Sequence, residues 1–404
     1  MLKIKPLIAL LLLLLGLSGC SAFSGSPAMS VSVSSDGRYV ISAHRGTKLY
    51  LWDIETQTKK LIARDANIYS AYFVRVRDVF IWQDLENQVH VHSVQDGELF
   101  TFKYPEPVYG HLMTRDLRRY IVSDIGWGIH ITDLEKNSTH TLKNTDGKSF
   151  LGFGKVLNLS LSADEHLLLM AGSSAGLPKS LRHRVRSLKQ EAELNNYGWM
   201  NGVALWSLET LEPLARLDGN SSKTHASISP DGQWVVSGDE NGLGYYWNTR
   251  RLEQDFMVSS YYHFLYVGQD EEGNTKPYDI SGLIPYPKLQ VNDNTLATVN
   301  AKTVATGFIS NSEYYVYIAH AGGGYGYRFN PYAVLFETGS PWPVKYFDLG
   351  TNPMPSVRDY SRNLTVATAP EAGILVTGQH SRGGINVYQF DAENLTLKRI
   401  WVGR

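Results

Sequence analysis

Three stretches of the chain share one alternation of apolar and polar positions: LYLWDIETQTKKLI (49–62), VHVHSVQDGELFTF (89–102) and IHITDLEKNSTHTL (129–142). Each has an alternating run, a polar turn and a second alternating run. A period of two turns one side of a strand inward, so each stretch predicts a hairpin. Leu51, Val91 and Ile131 hold equivalent places, 40 residues apart each time. VALWSLETLEPLARL (203–217) and GYYWNTRRLEQDF (244–256) repeat the pattern, with Leu205 and Tyr246 41 residues apart, and INVYQFDAENLTLKRIWV (385–402) is the last copy.

A second hairpin precedes these copies. It is clearest in SVSVSSDGRYVISAH (30–44) and HASISPDGQWVVSGD (225–239), where Asp36-Gly37 and Asp231-Gly232 occupy the tight turn. Asp and Gly tolerate turn dihedrals that other residues resist. Looser versions are LMTRDLRRYIVSD (112–124) and LSLSADEHLLLMAG (159–172). Each repeat therefore holds about four strands in about 40 residues, the period and strand count of a β-propeller blade. One four-stranded sheet cannot bury both faces alone; stacking in a ring buries them.

Ser229-Pro230-Asp231-Gly232, the strand Val235–Gly238 after it, and the Trp52-Asp53 pair closing a third strand resemble the WD40-type propeller family. Trp206 and Trp247 keep the aromatic residue of that pair without the acid, and the Gly-His pair that opens such repeats stands only at Gly110-His111. The family's buried Asp–His–Ser–Trp network is thus expected to be mostly absent. The resemblance spans nearly all of residues 30–402 and implies protein–protein contact through a rigid face and its inserted loops. TVATGFISNSEYYVYIAH (303–320) and YAVLFETGSPWPVKYFDL (332–349) supply one more pair of hairpins, which makes seven blades, or eight if 258–300 forms its own sheet. The expected fold is all-β, a single propeller over 30–404. It begins on an inner strand and ends on an outer one, so the ring must close by packing of the first blade on the last.

Three insertions, near 172–202, 258–300 and 321–331, break the rhythm, and loops on a rigid scaffold are where specificity usually resides. PKSLRHRVRSLKQEAELNN (178–196) has Leu181, Val185, Leu188 and Ala192 at helical spacing, with Arg182, Arg184, Arg186 and Lys189 on the other face. It reads as a short helix, either laid on the propeller side or docking an acidic partner or lipid head groups. In 258–289, Tyr261, Tyr262, Phe264 and Tyr266 crowd together as candidate partner or ligand contacts, or as an inward extension of a blade strand. AGGGYGYRFNP (321–331) lacks the Gly-Lys-Ser/Thr of a phosphate loop and reads as a glycine hairpin.

Ahead of the repeats, Lys3 and Lys5 precede the mostly apolar run Leu7–Leu17, too short for the ~20 residues of a membrane span and suited to a signal peptide. Leu17-Ser18-Gly19-Cys20, with the only cysteine, resembles the lipobox of bacterial lipoproteins. The resemblance implies a leader over 1–19 cut before Cys20, acylation of Cys20, a tether over 20–29, and anchoring in the cell envelope. Ser21 in place of Asp suggests the outer membrane. Formal net charge is −1, and about −3 once the two leader lysines are gone, so nothing marks a nucleic-acid binder. Aromatics at 12%, with 24 Tyr and 36 Gly, agree with strands and turns.

Candidate chemistry is sparse. His90 and His92 alternate along one strand and so share a side, but no third ligand is evident in the sequence and no metal is expected. His44, His320 and His380 each end the second strand of a repeat, in blades that become neighbours when the ring closes; with Arg45 and Arg382 they form a candidate anion patch. There is no G-x-S-x-G elbow, no H-E-x-x-H helix and no spare cysteine. No cofactor is expected. The reading is a binding or assembly scaffold whose partner is another envelope protein; a propeller glycan hydrolase or lyase, or a lipoprotein binding a small ligand or glycan, is the alternative.

Overall fold

The computed structural model describes residues 26–75, 78–124, 129–142, 155–173, 202–217, 224–239, 243–250, 253–259, 267–269, 275–277, 301–321, 331–340, 343–349, 365–379 and 383–404. Seven four-stranded antiparallel sheets succeed one another along the chain. Blade 1 holds β1 (Ala28–Val33), β2 (Tyr39–His44), β3 (Lys48–Asp53) and β4 (Thr58–Ala63); blade 2 holds β5 (Tyr72–Phe73), β6 (Val79–Gln83), β7 (Gln88–Ser93) and β8 (Gly97–Lys103). Blade 3 is β9 (Val108–Met113), β10 (Arg119–Asp124), β11 (Ile129–Asp133) and β12 (Ser138–Thr141); blade 4 is β13 (Lys155–Leu161), β14 (Leu167–Ser173), β15 (Gly202–Ser207) and β16 (Pro213–Leu217). Blade 5 is β17 (Thr224–Ile228), β18 (Trp234–Asp239), β19 (Leu243–Asn248) and β20 (Glu253–Ser259). A two-stranded hairpin follows, β21 (Val267–Gln269) with β22 (Thr275–Pro277). Blade 6 is β23 (Ala301–Ser310), β24 (Tyr314–Ala321), β25 (Pro331–Glu337) and β26 (Pro343–Asp348); blade 7 is β27 (Val366–Ala369), β28 (Ile374–Gln379), β29 (Gly384–Asp391) and β30 (Thr396–Gly403).

The count is seven. The insertion at 258–300 contributes the hairpin β21–β22 and no eighth four-stranded blade among the described residues. β1 opens at Ala28, two residues ahead of the expected start. The helix expected at 178–196 and the glycine segment at 322–330 lie outside the described residues.

Two turns recur because the same side chains hold them. Between the first and second strands of blades 1, 3, 4 and 5, a Ser or Thr hydroxyl bonds the Asp two residues on: Ser34–Asp36 at 2.5 Å, Thr114–Asp116 at 2.6 Å, Ser162–Asp164 and Ser229–Asp231 at 2.5 Å. The next residue takes a positive φ, which is cheap for Gly37 and Gly232 and is imposed on Leu117 and Glu165. Between the third and fourth strands, Asp53, Asp133 and Asp391 accept N–H bonds from the residues two and three ahead. Ser207 and Asn248 do part of the same work where the acid is missing.

The core is not one mass. Seven separate apolar clusters fill the seven junctions between adjacent blades. Successive residues of a second strand face opposite neighbours: Phe80 and Trp82 pack toward blade 1, Ile81 toward blade 3. This is why second strands are buried almost throughout, whereas the outer strands β4, β8 and β12 are largely exposed.

The ring closes between complete blades. Val40 and Trp52 of blade 1 join Ile374, Val376 and Val387 of blade 7 in one cluster. Trp52 meets Trp401 edge-on at 5.8 Å. A Cβ on Gly378 would come within 2.9 Å of the Ala28 Cβ, and one on Gly403 within 2.8 Å of the Trp52 ring, so glycine lets the seam shut.

Candidate functional site

Two histidines turn out to be part of the scaffold. Trp52 Nε1 donates to Ser42 Oγ (2.7 Å), Ser42 Oγ lies 2.8 Å from His44 Nε2, and His44 Nδ1 lies 2.9 Å from the Ser26 carbonyl. A carbonyl only accepts, so Nδ1 carries the proton and Ser42 donates to Nε2. His44 is buried, and burial pulls its pKa down. A Trp–Ser–His chain thus does exist in blade 1, with its histidine at the end of β2, where it was not expected. In blade 3, His111 of the Gly-His pair bonds Tyr120 Oη (2.9 Å) and, across the blade junction, the Ser70 carbonyl. Burial lowers the His111 pKa to about 4.

This placement removes His44 from the expected anion patch, since neither ring nitrogen faces solvent. Arg45 is exposed next to it. His320 pairs through its backbone with Lys302 and Pro331. His380 and Arg382 lie outside the described residues, as do Cys20, Arg182, Arg184, Arg186, Tyr261, Tyr262, Phe264 and Tyr266.

Blade 2 gathers a different set at its rim. His90 and His92 share one side of β7, with the Trp82 ring stacked on His90 (4.0 Å, 5°) and Phe80 on His92 (5.4 Å, 15°). A bulge in the β7–β8 pairing sets Glu98 opposite His92. Glu98 Oε2 then lies 2.8 Å from His90 Nδ1 and 3.5 Å from His92 Nε2. From the turn before β7, Asp84 Oδ2 reaches His90 Nε2 at 3.2 Å. The hydrogen bond from His90 and the charge of both rings hold the Glu98 pKa below its usual value; burial outweighs Glu98 and lowers the His92 pKa. The sequence showed the two histidines but not Glu98 or Asp84. The signal was there: a turn over residues 94–96 pairs Ser93 with Gly97 and so brings residue 98 opposite 92.

The same sector is the most apolar part of the described surface. Of six large apolar side chains exposed among the described residues, four lie on blades 2 and 3: Leu85, Leu99, Phe100 and Tyr109. Tyr109 stacks on Tyr69 at 5.3 Å. Beside them a groove of about 550 Å³ runs between β8 and the outer strands of blade 3, lined by Phe100, Phe102, Tyr104, Pro105, His130 and Thr139 among others.

The inner turns on one side of the ring carry charge. Arg75 pairs with Glu371 (2.7 Å), joining blades 2 and 7 past blade 1. Glu165 accepts from the Arg115 N–H (2.8 Å) and lies 3.8 Å from Arg115 Nε, joining blades 3 and 4. Burial raises the Glu165 pKa despite the nearby arginines. Each of these carboxylates has a cationic partner, an arrangement that laces blades together.

The WD40 family model (WD domain, G-beta repeat) matches residues 19–53 and 211–248. Both matches end at a third-strand dipeptide, Trp52-Asp53 and Trp247-Asn248. A search of curated protein sequences finds no match. Among solved structures, the β-propeller domain of Cps50 (Swd1) from Myceliophteria thermophila is 12% identical, with 91% of this chain and 98% of that one covered at a TM-score of 0.58. KlHsv2 with its loop 6CD replaced by a Gly-Ser linker is 10% identical, covering 94% and 99% at 0.57. Likeness at such identities shows the fold alone: a β-propeller, here of seven blades.

Proposed function

We propose that the chain is a lipid-anchored protein of the bacterial cell envelope, held in the outer membrane through acylated Cys20, whose propeller is a rigid docking scaffold for another envelope protein. The carrying observation is that four of the six large apolar side chains exposed among the described residues, Leu85, Leu99, Phe100 and Tyr109, fall on blades 2 and 3. Aromatic residues in such patches are the usual anchors of protein interfaces. The anchor rests on the lipobox-like Leu17–Cys20. Ala28 lies eight positions after Cys20, a reach of about 26 Å at ~3.3 Å per residue.

The test is crosslinking and affinity capture of the acylated chain from detergent-solubilised membranes, beside Phe100→Asp and Tyr109→Asp. The scaffold reading expects one stoichiometric protein partner from the parent chain and its loss in at least one variant. Capture of no partner, or equal capture by both variants, would contradict it. Cys20→Ala tests the anchor separately: the chain should lose its acyl label and leave the membrane fraction. A second reading rests on the groove between blades 2 and 3. Its volume and aromatic lining suit a small organic ligand or a short glycan, and saturable binding abolished by Phe102→Ala would favour it.

A further inference from the structure

We propose that His90, His92 and Glu98 form a binding site for one divalent transition-metal ion of the zinc class on the rim of blade 2. The donor set is the first argument. Two imidazoles and one carboxylate suit zinc and its neighbours, whereas calcium and magnesium prefer all-oxygen shells. The spacing is the second. The three candidate ligand atoms lie within 4.8 Å of one another. Bonds near 2.0–2.1 Å in a tetrahedral shell put ligand atoms about 3.4 Å apart, and the two Glu98 contacts, at 2.8 and 3.5 Å, bracket that value.

Preorganisation is the third argument. A metal-binding histidine usually gives its other ring nitrogen to a carboxylate. Asp84 Oδ2 already takes His90 Nε2, which leaves Nδ1 facing Glu98. Asp84 is itself fixed, because its Oδ1 accepts the Glu86 and Gln88 N–H groups at 2.8 Å each. Trp82 and Phe80 hold the two rings from behind. The fourth argument is an unmet need: His92 Nε2 is shut off from water and has no hydrogen bond of sound geometry, and a metal ion would satisfy it. The His90 ring and Lys60 of blade 1 act on His92 with the sign opposite to Glu98; with two carboxylates in the cluster Lys60 does not cancel the attraction for a cation. Glu98 is 49% exposed, so the positions left open by three protein ligands face solvent and take water.

The experiment uses the full chain in detergent micelles, stripped with a chelator and titrated calorimetrically with zinc chloride; cobalt(II) serves as a visible-absorption probe of the shell. The proposal expects one equivalent of zinc, at least ten-fold weaker binding in His92→Ala and in Glu98→Gln, and no change in His140→Ala on the exposed strand β12. Asp84→Asn, which touches His90 and not the ion, is expected to weaken zinc by about 10-fold while keeping the cobalt spectrum. Circular dichroism of each variant separates lost binding from lost folding, and Glu98→Gln carries the test if His92→Ala fails to fold. No saturable zinc binding by the parent chain, or equal binding by folded His92→Ala and Glu98→Gln, overturns the proposal.

Discussion

Blades 1 and 2 are adjacent, share a strand order and share a core cluster, yet they use histidine in opposite ways. In blade 1, His44 ends the second strand, points inward and is consumed by the Trp52–Ser42–Ser26 chain. In blade 2 the second strand carries the tryptophan instead, and its ring backs His90 on the third strand. Moving one indole by a strand leaves two imidazoles stacked over the apolar layer rather than sunk in it. Residue type does not decide whether a histidine is structural or chemical; strand position and the neighbour behind it do.

The largest effect expected from breaking this contrast is Trp52→Ala. It removes a buried indole from the seam between blades 7 and 1, together with the N–H that Ser42 accepts. A loss of about 3–5 kcal/mol is expected, measurable by urea unfolding. The acid side should come next. His111 is held neutral, so its folded-state pKa of about 4 lies below the ordinary value of 6.5. A depressed value means the unfolded chain takes up the proton first. The stability tied to neutral His111 is therefore complete above about pH 6.5 and is lost as pH falls toward its folded value. Roughly 3 kcal/mol is at stake, and stability against pH for His111→Gln should lack that slope.

Gly378→Val should cost about 1–3 kcal/mol by overpacking, because its Cβ would press on Ala28 across the closing junction and on Thr365 of its own blade; a lowered thermal midpoint checks it. The smallest effect is expected in blade 2. His90→Ala removes the hydrogen bonds to Asp84 and Glu98 and the stacking on Trp82, at the edge of the apolar layer, and should cost about 1 kcal/mol. A small stability cost combined with lost zinc binding would sharpen the contrast with Trp52→Ala, which reports on the scaffold alone.

Much of the ring was legible before the structure. Leu51, Val91 and Ile131 set the period, and Asp36-Gly37 and Asp231-Gly232 marked turns that the backbone uses as expected. The first hairpin of blade 2 was not legible, because β5 is two residues long and has no Asp-Gly turn. Its backbone donors are met partly from blade 1, where Ser30 and Ser32 accept the Ala71 and Phe73 N–H groups. A pattern read along one strand cannot see such support. The burial of His44 was hidden for a related reason: its partner Ser26 precedes the first recognisable repeat residue. The rim cluster was half visible. His90 and His92 stood out by their alternation, while Glu98 and Asp84 enter through a bulge and a turn, features that depend on pairing rather than on period.

One measurement bears most directly on the contrast between buried scaffold histidines and available rim histidines. It is histidine ring-nitrogen NMR on the full chain, followed as zinc is added. The account predicts that the His90 and His92 signals move together and stop at one equivalent, while those of His44 and His111 stay fixed. Signals of His44 or His111 that respond as strongly as those of His90, or rim signals that never move, would contradict it.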